Sequence, residues 1–237
     1  MVQSCVSSER DDTPEARVSL AIGLYREGWF PMGDGTDAEA EWVQPRRRSI
    51  IPLAPDRFRV TRSLRQRVRS GRFEVTSDTA FGEVIRACSE PRRMNGEASA
   101  GTWITPGIVS LFGELHSAGY VHSVEAWLTD AGGRTLVGGL YGVAIGRVFC
   151  GESMFSRPDL GGTDASRVCL VHLVEHLRER GFVMLDSQIS NPHIAQFGAY
   201  EMPAERYVRV VREYAEERIE WGWRGVKTTP PPVGGGM

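Results

Sequence analysis

The sequence predicts an α+β fold, with a small N-terminal unit (residues 1–60) joined to a larger domain (61–227) built on a mixed sheet flanked by helices. Three observations predict it. Helix-period segments occur at both ends of the chain and in its middle, three strand-like runs follow one another across Gly-containing turns, and the regular βα alternation of a doubly wound fold is missing. With 237 residues, 41% hydrophobic and 24% charged, the chain is long enough and apolar enough to bury a core. No apolar run approaches the ~20 residues of a membrane span, and the first residues are polar and acidic, so the expectation is a cytoplasmic protein with no membrane partner.

The elements follow in order. Thr13 is placed to cap a helix with Pro14 in its first turn, Val18, Ala21, Ile22 and Tyr25 form its apolar stripe, and Gly28 stops it. Phe30-Pro31-Met32-Gly33 breaks the pattern, and a polar loop leads to Trp42. After a short apolar stretch with two prolines over 50–60, a helix carrying four arginines is expected over 61–70. Residues 72–76 read as a strand, 79–89 as a helix and 90–101 as a polar loop. Thr105 caps a further helix ending at Gly119, and strands over 121–129, 135–144 and 147–151 form an antiparallel meander. Residues 164–180 read as a helix, 182–186 as a strand and 203–221 as a last helix; 228–237, with three prolines and three glycines, are expected to be disordered.

The net charge of −2 hides an asymmetry. Residues 1–45 carry −6, residues 46–72 carry +9 from ten arginines and one aspartate, and 73–237 carry −5. Acids are nearly absent from the basic stretch, so it cannot pair with itself, and arginine suits bidentate phosphate contacts. Aromatic interleaving is thin, which favours backbone contact over base reading. The four cysteines are scattered without a C-x-x-C pair and read as free thiols. His172 and His176 have i,i+4 spacing, but Glu175 and Glu179 fit a solvated helix face equally well; His116 and His122 read as structural.

Two clusters stand out as candidate chemistry. Gly151-Glu152-Ser153-Met154-Phe155-Ser156 is expected just past a strand end, and Asp186-Ser187-Gln188 follows an apolar strand with Asn191 three residues on. Asp186 and Gln188, at period two, leave the strand on one face, so Asp186 can orient Gln188 by hydrogen bonding.

These pieces together resemble the bacterial leucyl/phenylalanyl-tRNA–protein transferase family, from about Leu20 to Tyr207. The resemblance rests on the order and spacing of linked motifs: residues 25–31 (YREGWFP), 42–45 (WVQP), 101–105 (GTWIT), 122–127 (HSVEAW), 136–143 (LVGGLYGV), 151–156 (GESMFS), and Asp186-Ser187-Gln188 with Phe197-Gly198-Ala199. It implies that Leu or Phe, with Met as a further candidate, passes from aminoacyl-tRNA to the α-amine of a protein beginning with Arg or Lys, marking that protein for degradation. It also implies an acetyltransferase-like (GNAT-like) larger domain, a monomer, and no metal or coenzyme.

By the same resemblance, Leu140, Phe149, Met154, Leu173, Leu177 and Leu185 line an apolar aminoacyl pocket, and Met32, Trp103 and Asn191 also contact substrate. Gln188, polarised by Asp186, meets the attacking amine, while Glu152 and Asp186 supply carboxylates for a cationic acceptor; Asp186→Asn is then expected to slow transfer with little loss of tRNA affinity. The acceptor stem falls to Arg46, Arg57, Arg62, Arg65 and Arg69. The chain departs from the family pattern at Met32, at Gln44-Pro45-Arg46, at Ser187 and in an insertion over 158–163. Two rivals remain: an acyl-coenzyme A N-acyltransferase, for which residues 93–98 offer a Gln/Arg-x-x-Gly-x-Gly/Ala string in a polar loop where Glu97 would repel phosphate, and a non-enzymatic RNA-binding protein.

Overall fold

The computed structural model describes residues 13–33, 40–91, 93–94, 97–98, 102–217 and 219–224. The expected disordered tail at 228–237 and Cys5 lie outside them. In chain order the helices are α1 (Pro14–Arg26), α2 (Arg62–Arg69), α3 (Phe81–Ser89), α4 (Pro106–Ser117), α5 (Ala165–Glu179), α6 (Pro192–Ala195) and α7 (Ala204–Tyr214). The strands are β1 (Phe30–Met32), β2 (Glu41–Val43), β3 (Arg47–Ile51), β4 (Glu74–Ser77), β5 (Arg93–Met94), β6 (Glu97–Ala98), β7 (Val121–Asp130), β8 (Gly133–Ile145), β9 (Val148–Ser156), β10 (Met184–Asp186) and β11 (Tyr200–Pro203).

Seven strands form one mixed sheet in the order β11-β3-β10-β9-β8-β7-β4. The meander β7-β8-β9 is antiparallel, and β10 then lies parallel to β9 after the chain returns through α5. Period-two alternation along β8 splits the core. Tyr141 and Val143 face a cluster with Ile22, Tyr25, Phe112 and Tyr207 from α1, α4 and α7, whereas Leu140 faces one with Leu64, Leu173 and Leu177 from α2 and α5. Helices thus cover both faces. The strand over 47–51, on the N-terminal side of the boundary expected at residue 60, pairs with β10 and β11 in this same sheet.

The three threonine caps close their helices. Thr13, Thr61 and Thr105 each accept, through Oγ1, a backbone N–H three residues on, at 3.2, 3.3 and 3.4 Å. Elsewhere the expected elements shift. Residues 151–156 are not a loop past a strand end but the second half of β9, paired, except at Glu152, with Gly138–Gly142 of β8. Residues 90–101 hold the short β5–β6 pair, and 30–32 pair antiparallel with 41–43. The last helix ends at Tyr214, not near 221; Trp221 leaves the helix to stack on His122 (ring centroids 4.1 Å apart) and on Phe149, and its Nε1 donates to Ser77 Oγ at 2.8 Å. Burying two tryptophans, 221 and 223, against α5 outweighs continuing an exposed helix.

Candidate active site

The site forms where two strands part. β9 pairs with β10 only over Val148–Cys150, opposite Met184–Asp186; beyond that β9 stays with β8 while the chain after β10 turns toward β3. Ser187 N donates to Ser49 O at 2.8 Å, Ser49 N to Gln188 O at 2.9 Å, and Ser187 Oγ also reaches the Ser49 carbonyl and hydroxyl. The turn after β10 is thereby fixed to β3.

A β-bulge aims the carboxyl. The β8–β9 register passes from Tyr141↔Ser153 to Gly142↔Gly151, which leaves Glu152 as the extra residue. The bulge turns Glu152 toward α1, where its Oε1 accepts from Tyr25 Oη at 2.9 Å and from Gln188 Nε2 at 3.0 Å. Burial raises the Glu152 carboxyl from its usual range to about 8; the Tyr25 hydrogen bond pulls it back, and the nearby Asp186 charge pushes it up again. The Tyr25 hydroxyl, wholly buried beside this carboxyl, is raised as well, by burial first and then by Glu152.

Asp186 does something different from what the sequence suggested. Its side chain is completely buried and forms a bidentate pair with the equally buried Arg48, through Arg48 Nη2 to Oδ2 and Nε to Oδ1 at 3.2 Å. Two further Arg48 donors go to Gly28 O at 2.9 Å and Tyr207 Oη at 3.2 Å, and its guanidinium lies over the rings of Phe30 and Tyr207. Burial works against the Arg48 charge, and Asp186 with Tyr207 more than offsets it, so the guanidinium stays charged. The Asp186 carboxylate is thus ion-paired with Arg48 and shut away from solvent. Nor does it hold the Gln188 side chain: its Oδ1 accepts the backbone N–H of Gln188 at 2.9 Å and braces that residue at φ +53°, in the left-handed region. The partner that polarises the Gln188 amide is Glu152. The Gln188 Oε1 has no partner among the described residues and is left to accept an N–H from a substrate.

Two adjoining cavities meet at this network. The larger, about 500 Å³, has apolar walls from Leu140, Met154, Leu173 and Leu185, as expected, together with Ile51, Leu170 and Ile194. Phe149 and Leu177 are not on its wall; both are fully buried in the core behind it. The smaller, about 230 Å³, is lined by Met32 and Trp103 with Phe30 and Pro31, and Gly33 N holds this rim to Trp103 O at 3.0 Å. A Cβ at position 33 would run into that carbonyl, so glycine is required for the approach. Glu152, Ser153, Ser187, Gln188 and Asn191 line both cavities. Asn191 also caps α6, its Oδ1 accepting from Ile194 N at 3.0 Å.

Arg46, Arg57, Arg62, Arg65 and Arg69 are all exposed, as a phosphate-binding role requires, whereas Arg48 of the same basic stretch has gone inside. Arg48 and Tyr25 are the site-supporting residues that sequence reasoning missed. Tyr25 stood in a quoted motif, but nothing in the arginine run marked Arg48 as different from its neighbours. His172 and His176 are buried with burial lowering both to about 4, and no group of three or more metal-ligating side chains is gathered among the described residues. Cys88, Cys150 and Cys169 are buried, and Cys150 and Cys169 are free thiols. Arg93-Met94 and Glu97-Ala98 form β5 and β6, so the Arg-x-x-Gly string does not lead from a strand into a helix.

The fold is similar to that in the crystal structure of FemX, with a TM-score of 0.51 at 11% identity over 85% of this chain and 72% of that one. The family model for leucyl/phenylalanyl-tRNA protein transferase matches residues 52–212. Proteins named leucyl/phenylalanyl-tRNA–protein transferase are similar along most of their length: that of Chlorobaculum parvum is 45% identical over 81% of this chain and 92% of its own, and that of Pelodictyon phaeoclathratiforme 41% identical over 86% and 97%. A third, from Aromatoleum aromaticum, is 45% identical over 83% of this chain and 76% of its own. With the cavities and the buried carboxyl–amide pair, these likenesses define an aminoacyltransferase, which moves an amino acid from tRNA to protein. The chain belongs to the leucyl/phenylalanyl-tRNA–protein transferase family.

Proposed function

We propose that the protein transfers leucine or phenylalanine, with methionine as a further substrate, from the 3′ end of tRNA to the α-amine of proteins beginning with Arg or Lys, and that the product is marked for degradation. The observation that carries this reading is the junction of an apolar cavity with the Glu152–Gln188 pair. Leu140, Met154, Leu173 and Leu185 suit a branched or aromatic side chain, and such a wall separates Leu from Met only weakly, since a methylene is worth ~1–3 kcal/mol. Glu152 is the carboxyl offered to a cationic acceptor, because Asp186 is spent on Arg48.

In this reading the parting of β9 and β10 is the cleft of an acetyltransferase-like domain. The aminoacyl ester is already activated, so the protein's task is to hold the amine in line and manage one proton. Gln188 Oε1 accepts an N–H of the attacking amine while Nε2 stays on Glu152, which fixes the amide's orientation. Glu152 lines the same two cavities and takes the proton directly on its other oxygen, Oε2, a role its carboxyl near 8 fits. The exposed arginines at 46, 57, 62, 65 and 69 hold the acceptor stem.

The test is a filter assay with labelled Leu-tRNA and acceptor peptides that differ only in the first residue. Label is expected on Arg- and Lys-initiated peptides and not on Asp- or Met-initiated ones. Equal labelling of all four would overturn the basic preference, and binding of tRNA without transfer to any would leave only an RNA-binding protein.

A further inference from the structure

We infer that the Ser153 hydroxyl donates a hydrogen bond to the ribose oxygen that leaves the tRNA ester, making Ser153 a catalytic residue of the transfer. The inference rests on the proposed function. Five residues line both cavities, so the ester must lie among them, with the aminoacyl side chain in the larger cavity and the ribose toward the smaller. Four of the five commit polar side-chain atoms to the protein. Glu152 Oε1 accepts from Tyr25 and Gln188, Gln188 Nε2 donates to Glu152, Ser187 Oγ donates to Ser49, and Asn191 Oδ1 caps α6 at an exposed position. Ser153 Oγ alone is shut away from solvent with no hydrogen-bond partner among the described residues. A buried hydroxyl left in that state is costly unless a ligand completes it.

Register decides which ligand atom it meets. Ser153 pairs with Tyr141, and Met154 with Leu140, so along β9 the two side chains leave opposite faces of the sheet. Met154 is on the wall of the apolar cavity only; Ser153 is on the face of Phe30 and Trp103, toward the smaller cavity. The scissile ester presents two oxygens, and the one on this side is the ribose oxygen. As the amine nitrogen bonds to the carbonyl carbon, the carbonyl π pair moves to its oxygen. When the carbonyl re-forms, the carbon–ribose oxygen bond breaks and its electron pair goes to the ribose oxygen. Overall one proton leaves the nitrogen and one is gained by the ribose oxygen. Ser153 keeps its own proton and steadies the charge that builds on the leaving oxygen.

The experiment compares wild type with Ser153→Ala on Leu-tRNA whose terminal adenosine carries either 2′-deoxyribose or 2′-deoxy-2′-fluororibose, the fluorine making the 3′ oxygen a better leaving group. Ser153→Ala is expected to slow single-turnover transfer about 100-fold from the deoxy substrate. It should slow transfer far less from the fluoro substrate, with tRNA affinity unchanged and the thermal midpoint of the free protein raised, and Ser153→Thr should restore most of the rate. An equal factor on both substrates, or no loss on either, overturns the inference. Failure of the wild-type protein to transfer from any Leu-tRNA would instead bring down the proposed function.

Discussion

Arg48 and Asp186 face each other from the neighbouring antiparallel strands β3 and β10, with 1% and 0% of their side-chain surfaces exposed. The pair ties the strand that brings in the N-terminal part of the chain to the turn that carries Gln188. Breaking one half of such a pair strands the other charge in the interior, which costs ~3–5 kcal/mol. Asp186→Asn is therefore expected to lower the unfolding midpoint sharply and to weaken the brace on the strained Gln188 backbone. This revises the sequence-based expectation of a purely kinetic effect. Chemical denaturation of Asp186→Asn, Arg48→Met and the double replacement measures it: the double variant should recover part of the stability lost by either single one.

Glu152 should set both a pH profile and a stability deficit. Its folded pKa, about 8, lies above the ordinary carboxylate value, so the folded protein holds a proton that the unfolded chain gives up. Stability is then full below about pH 4.5 and is lost as pH rises toward 8, on the order of 5 kcal/mol. Glu152→Gln should raise the thermal midpoint at pH 7.5 and lower transfer at least 100-fold. The wild-type rate should climb with pH toward about 8, and the variant should keep only the part of that profile belonging to the acceptor amine.

Gln188→Ala removes the side chain but keeps the backbone at φ +53°, so its effect should be kinetic. Single-turnover transfer is expected to fall 10- to 100-fold with tRNA binding unchanged. Gln188→Asn, which tolerates that backbone but is one methylene short of Glu152, should fall in between.

The basic helix α2 can be examined through ionic strength. Replacing Arg62, Arg65 and Arg69 with alanine should weaken tRNA binding uniformly across tRNA sequences and reduce the slope of log affinity against log salt by about 0.7–0.9 per lost phosphate contact. Transfer at saturating tRNA should hold.

His172 is buried in α5, its Nδ1 without a partner and its pKa lowered to about 4 by burial. The unfolded chain binds this proton between about pH 6.5 and 4 and the folded one does not, so stability is present above 6.5 and declines as pH falls through that window. His172→Leu should flatten the acid limb of a stability–pH curve while leaving the value at pH 7.5 within about 1 kcal/mol or raising it.

Helices α1 and α4 were the legible part of the fold, because each announced itself at both ends: Thr13 with Pro14 and Gly28, Thr105 with Pro106 and Gly119. The uncapped α7 carried no such stop signal and ended short of the expected 221. The long strands β7 and β8 were legible as apolar runs parted by Gly-containing turns. What hid β9 was its bulge, since an extra residue at Glu152 breaks the period of two by which a strand is recognised. Arg48 was hidden for a different reason. Whether an arginine faces water or a buried aspartate is decided by a strand more than a hundred residues away, and eight of the nine other arginines of the basic stretch do face water. Glu152 and Gln188 were found as candidates, but their link to each other was not, because Asp186 is nearer to Gln188 in sequence and takes only its backbone N–H.

The bulge at Glu152 also makes the carboxyl separable from the wall beside it. Deleting that one residue would return β9 to an unbroken ladder with Ser153 still opposite Tyr141 and Met154 still opposite Leu140, so the aminoacyl cavity would keep its side chains and lose only the group that meets Gln188. A single inserted residue thus carries the acid chemistry of the site on a sheet that is otherwise complete without it.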